Sequence, residues 1–67
     1  MLEKISQKLI GYRVKAARDA KGWTQDQLTQ GLGLNDRQSV SDIENGKRAL
    51  KPDELLELSD LLDRDIE

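Results

Sequence analysis

The 67-residue sequence predicts an all-α protein, a compact four- to five-helix bundle in one domain over residues 1–67. Two observations carry that expectation. Helix punctuation is dense, with a capping box at Thr24 and Gln27, a proline start at Pro52, and glycine stops at Gly22, Gly33 and Gly46. Between these marks the apolar residues recur three and four apart, the spacing that lines one face of a helix.

The first helix is expected from about Glu3 or Lys4 to Lys21, with Ile5, Leu9, Val14 and Ala17 as an interrupted apolar stripe. Lys21 before Gly22 supplies a C-terminal cation and then a stop, while Gly11 is expected to bend or weaken the helix. Its other lysines and arginines read as a solvated face. The second helix starts at about Gln25: the Thr24 hydroxyl can accept from the Gln27 amide, and the Gln27 side chain can reach back. Trp23 and Leu28 bracket that cap as a hydrophobic staple, which makes Trp23 a core residue rather than a platform for stacking on a base. Leu28 and Leu32 share the buried face, and Gln25, Asp26, Gln27, Thr29 and Gln30 stay wet. Gly31 costs about 1 kcal/mol against alanine, and Gly33 suits the positive φ of the turn.

Asn35 or Asp36 caps the third helix, about Asp36 to Asn45. Val40 and Ile43 face inward, so at 100° per residue the outer face carries Gln38, Ser41, Asp42 and Asn45, flanked by Arg37 and Ser39. Gly46 ends it, and Lys47 and Arg48 follow. After Ala49-Leu50-Lys51 the fourth helix opens at Pro52, with Asp53 and Glu54 complementing its N-terminus. Leu55, Leu58 and Leu62, flanked by Leu56 and Leu61, close the core against Val14, Trp23, Leu28, Leu32, Val40 and Ile43.

Composition removes whole classes of function. With no cysteine and no histidine there is no disulfide scaffold, Cys/His zinc site or imidazole acid-base chemistry, and the sequence gives no sign of an enzyme or a cofactor. The acidic end formed by Asp60, Asp63, Asp65 and Glu67 lacks the glycine and ligand spacing of a calcium loop, so it reads as solvated surface and no metal is expected. No apolar run exceeds two residues, which excludes a membrane span or secretory signal, and the lack of cysteine fits a cytoplasmic protein. The net charge of −2 hides a division: residues 1–51 carry 10 Lys or Arg and 6 Asp or Glu, whereas residues 52–67 carry 1 and 7. A basic unit with an acidic last helix remains compatible with a duplex if that helix points away from it.

The outer face of the third helix has the right chemistry for such a duplex. Gln and Arg can each make two hydrogen bonds to purine edges in the major groove, and Ser and Asn suit phosphates or bases. Thr24, Gln25, Ser41, Asn45, Lys47 and Arg48 are the candidate phosphate contacts, with Thr24 also a cap and Asn45-Gly46 also a helix stop.

Residues 10–66 resemble the helix-turn-helix domain of the Cro and phage-repressor class, the Xre family of bacterial and phage transcriptional regulators. The resemblance rests on IGYRVKAARDAKGWTQDQL from Ile10, the turn Gly33-Leu34, the phrase SVSDIENGKR from Ser39, and PDELLELSDLL from Pro52. It implies a lambda-repressor-like bundle with the helix-turn-helix at about 24–46, and a sequence-specific DNA-binding repressor acting as a homodimer on a palindromic operator. It implies base contacts from Arg37, Gln38, Ser39 and Asp42, and a pairing of Arg18 with Glu44 that ties the first helix to the third. Two departures stand out: one extra residue between Gly33 and Gly46, near Asn35 and Asp36, and Thr29 where the family usually has alanine. Repressors of this class often dimerise through a fifth helix or a further domain, and the expected partners are double-stranded operator DNA and a second copy. The alternatives are an antitoxin or adaptor that binds a partner protein through the acidic fourth helix, and the DNA-binding head of a longer regulator with a sensing or peptidase domain.

Overall fold

In the computed structural model, which describes residues 6–66, four helices follow one another: α1 (Gln7–Lys21), α2 (Gln25–Gly31), α3 (Arg37–Glu44) and α4 (Pro52–Leu62). There is no strand among the described residues. The helix α3 packs on both α1 and α2, and α4 packs on α1. The core is Val14, Ala17, Leu28, Val40, Ile43, Leu58, Leu62 and Ile66, with Ile10, Trp23, Leu32, Leu34, Leu50, Leu55 and Leu61 packed around it.

Each helix begins and ends on a local signal. Ser6 caps α1 by accepting from the Leu9 amide at 3.0 Å, so the helix starts at Gln7 rather than at Glu3 or Lys4. The Thr24–Gln27 capping box is complete, with bonds of 3.1 and 2.7 Å. Asp36 accepts from the Ser39 amide at 3.3 Å, and Asp36 and Asn45 are therefore the caps of α3 rather than its first and last turns. At α4 only half a box exists: Glu54 accepts from the Lys51 amide at 3.0 Å, but lysine has no side-chain acceptor to return the bond. All four helices end alike, in a left-handed residue followed by an amide that reaches back five positions. These bonds are Trp23 N–H to Arg18 O, Leu34 N–H to Thr29 O, Lys47 N–H to Asp42 O and Arg64 N–H to Ser59 O. The left-handed residues are Gly22, Gly33, Gly46 and Asp63. After the second of these turns Leu34 returns to the core and Asn35 is exposed, so the extra residue is accommodated before α3 begins.

Further expectations are corrected. Leu9 is 40% exposed, because Ile10, Val14 and Ala17 (i, i+4, i+7) form the inner stripe and Leu9 lies outside its arc; Ile5 lies outside the described residues. Gly11 does not interrupt α1, which continues to Lys21. It is the crossing point with α3, where a Cβ would run into the carbonyl oxygens of Ile43 and of Glu44, the latter at 2.6 Å. Leu56 does not flank the buried stripe but is 68% exposed. The described carboxylates of the acidic end, Asp60, Asp63 and Asp65, are exposed as expected, while Ile66 among them is buried and its amide donates to Ser59 Oγ at 3.2 Å; Glu67 lies outside the described residues.

Candidate nucleic-acid interface

The position of α3 is set by an ionic lock at its C-terminal end. Arg18, from α1, donates through Nε to Glu44 Oε2 at 2.7 Å and through Nη2 to Oε1 at 3.3 Å. Its Nη1 donates to the Trp23 carbonyl at 2.8 Å, and Gln25 Nε2 donates to Glu44 Oε1 at 3.0 Å. Arg18 and Glu44 are each only 8% exposed. The hydrogen bonding of Arg18 to Glu44 dominates over burial and holds the guanidinium above its ordinary pKa, so the cation is fixed. The carboxylate at the end of α3 therefore holds α1 through Arg18 and the first residue of α2 through Gln25, and Arg18 in turn holds the turn before α2.

With Val40, Ile43 and Glu44 turned inward, α3 presents its other side. Arg37, Gln38 and Asn45 are exposed, and Ser39, Ser41 and Asp42 are half-buried. Two pairs at i, i+4 organise this face. Gln38 Nε2 donates to Asp42 Oδ1 at 2.9 Å, and Asn45 Nδ2 donates to Ser41 Oγ at 3.3 Å. A carboxylate can only accept, so Asp42 fixes which end of the Gln38 amide faces it. That leaves Gln38 Oε1 and its second N–H for another partner.

The ten residues singled out from sequence do not all share this surface in the same way. Arg37, Gln38, Ser39, Ser41, Asp42 and Asn45 lie along α3, with Lys47 exposed just beyond it. Thr24 is exposed at the N-cap of α2, its hydroxyl oxygen accepting from Gln27. Gln25 gives one of its two side-chain N–H groups to Glu44, and Arg48 turns back to α4, where Nη2 donates to Glu54 Oε2 at 2.8 Å. The Lys51 amide first, and Arg48 second, hold the Glu54 carboxyl below its ordinary pKa. Thr29, expected to stay wet, is instead buried, and it fits in place of the usual alanine because its hydroxyl donates to the Gln25 carbonyl at 2.7 Å. Trp23 is half-buried against the core, and the Lys21 ammonium stands 5.2 Å from its ring centre.

Residues 14–67 match the helix-turn-helix family profile. The chain belongs to the Xre, or Cro and phage-repressor, class of helix-turn-helix proteins. As a member of that class it is a DNA-binding transcription regulator and not an enzyme. The fold is similar to that of the restriction-modification controller protein C.AhdI from Aeromonas hydrophila. The TM-score is 0.78 at 33% identity, over 90% of this chain and 89% of the other. No curated protein matches the chain significantly. In this Xre-class domain no described helix is long and apolar enough to cross a membrane.

Proposed function

We propose that this regulator is a cytoplasmic repressor, associated with the nucleoid when DNA-bound, which acts as a homodimer on a palindromic operator and places α3 in the major groove. Two copies of α3 presented to one face of a duplex would read half-sites about one helical turn apart, roughly 34 Å. Repression then follows from occlusion of a promoter. The similarity to a restriction-modification controller protein supports genes of that kind as the targets.

The observation that carries the reading is the Gln38–Asp42 pair on the outer face of α3. An amide already oriented by a carboxylate can give its remaining N–H to adenine N7 and accept from N6 with little loss of side-chain freedom. In this arrangement Gln38 reads the base, Arg37 and Ser39 contact neighbouring bases, and Asp42 orients Gln38 and offers its second oxygen to cytosine N4. Thr24, Ser41, Asn45 and Lys47 hold phosphates. Gln25 contributes its backbone amide, and Arg48 reaches a phosphate only by leaving Glu54.

The test is selection of binding sites from a random duplex library, followed by Gln38→Ala and Lys47→Ala on the selected site and on random DNA. Gln38→Ala should cost about 1 to 3 kcal/mol on the selected site alone and blur one base position, while Lys47→Ala should weaken every sequence alike. Equal losses on both DNAs for Gln38→Ala would end its assignment as a reader, and enrichment of no palindrome would end the dimeric one.

A second reading, an antitoxin or adaptor, draws on Leu56, 68% exposed on α4 beside the acidic Asp53, Glu57 and Asp60. It requires a basic partner that binds wild-type protein and is lost with Leu56→Asp.

A further inference from the structure

The first turn of α1 lies against the end of α3. A Cβ placed on Gly46 would meet Lys8 Cγ at 2.7 Å, Lys8 Cα at 2.9 Å and Lys8 N at 3.0 Å. Gly46 therefore serves two needs. Its φ of 75° ends the helix, and its missing side chain lets the Lys8 stem cross the turn just before Lys47. One helical turn further along α1, Gly11 sits on the carbonyls of Ile43 and Glu44, and the Arg18–Glu44 lock follows two turns beyond that. This seam holds Lys8 in a fixed relation to the outer face of α3.

The Lys8 stem crosses Gly46, and the two residues that follow this glycine, Lys47 and Arg48, are cations that are not equivalent. Arg48 is neutralised by Glu54 at 2.8 Å. Lys8 and Lys47 are both exposed, and among the described residues neither has a carboxylate partner. We infer that Lys8 is a DNA-backbone contact, which together with Lys47 brackets the phosphate meeting the C-terminal end of α3 and makes α1 part of the nucleic-acid interface. The inference rests on the reading of α3 as the DNA-facing helix. A phosphate contact sets register only if it is rigidly tied to the base-reading side chains, and the α1–α3 seam supplies that tie. Lys15 lies on the same side of α1 but two turns away, about 10.5 Å, and serves as a charge-matched control.

The experiment is a salt titration of the affinity of the intact protein for a random-sequence duplex of about 30 base pairs, long enough for a full dimer site. Wild type is compared with Lys8→Gln, Lys8→Arg, Lys47→Gln and Lys15→Gln, each first checked for helix content and melting temperature. For each DNA-bound subunit, Lys8→Gln and Lys47→Gln should each reduce the slope of log K against log salt by about 0.9. Lys8→Arg should keep the wild-type slope, and so should Lys15→Gln. A slope unchanged by Lys8→Gln would overturn the proposal, and so would equal reductions by Lys8→Gln and Lys15→Gln, which would leave only overall charge. If wild type itself shows no salt-dependent duplex binding, the DNA-facing reading of α3 fails and Lys8 fails with it; that outcome is seen before any variant is compared.

Discussion

Replacing Glu44 by alanine tests the lock that positions α3. The substitution strips the buried Arg18 guanidinium of its bonds at 2.7 and 3.3 Å, leaving the Trp23 carbonyl at 2.8 Å and the exposed Asp19 at 3.5 Å. It also frees Gln25 Nε2, which donated to the same carboxylate. Breaking a buried pair from one side costs about 3 to 5 kcal/mol, because the remaining charge has lost its compensation. A 67-residue domain has a total stability of only about 3 to 10 kcal/mol at ~0.05 to 0.15 kcal/mol per residue. At about 4 to 8 °C per kcal/mol for a domain of this size, the melting temperature should fall by at least ~12 °C. Urea titration measures the first quantity and a thermal melt the second, each followed by circular dichroism and by the fluorescence of Trp23, the sole tryptophan. The companion variant is Arg18→Met with Glu44→Leu, which removes both charges together with their desolvation. It should recover most of the loss, since apolar replacement of a whole buried pair is often neutral or stabilising. A cost below about 1 kcal/mol for Glu44→Ala would place the pair in the range of surface ion pairs and refute the reasoning. So would a double variant no more stable than the single one.

Two glycines on neighbouring helices should respond to alanine with opposite signs in the same melts. At Gly11 the new methyl meets backbone carbonyls that cannot move without separating α1 from α3, an overpacking cost of about 1 to 3 kcal/mol. At Gly31 the new methyl would make ordinary contacts of 3.4 Å with Trp23 and 3.5 Å with Leu61, so helix propensity should win and the domain gain about 0.5 to 1 kcal/mol; losses at both positions would disprove the second estimate. The third expectation concerns acid. Because the folded state depresses the Glu54 pKa, its contribution is present above the unfolded value near 4.5 and is lost as pH falls through the lower folded value. Urea midpoints of wild type should therefore drop below about pH 4.5 more steeply than those of Glu54→Gln; parallel curves would remove Glu54 as a source of acid sensitivity.

Features that depend on three or four consecutive residues were legible in the sequence. The Thr24–Gln27 box, the Pro52 start and the left-handed glycines at 22, 33 and 46 are each specified by their neighbours, and the structure places them where the pattern says. Ser6 was equally local, but the apolar spacing that took in Ile5 and Leu9 drew the expected start of α1 past it. The division of α3 into an inner face of Val40 and Ile43 and a polar outer face was legible for the same reason, since 100° per residue is a local rule. What sequence could not show is how polar side chains are shared between elements. Gln25, Asp42 and Arg48 look equally available as residues of a polar surface, yet a carboxamide faces Glu44, a carboxylate faces Gln38 and a guanidinium faces Glu54.

The same limit explains Gly11 and Gly46. A glycine in a helix and a glycine at a helix end have ordinary local readings, as a weak point and as a stop, and nothing nearby contradicts them. Their further meaning appears only when distant segments meet, Gly11 beneath the end of α3 and Gly46 beneath Lys8. Both glycines belong to one seam that also contains Arg18 and Glu44, so the contacts that stabilise the domain are the contacts that aim α3. A substitution in this seam should change DNA affinity in proportion to its effect on the placement of α3, even where it touches no nucleotide. Glu44→Ala, held folded by low temperature, is the case that separates the two effects: weaker selectivity in a folded domain would show that the lock sets the angle of α3 as well as the stability of the bundle.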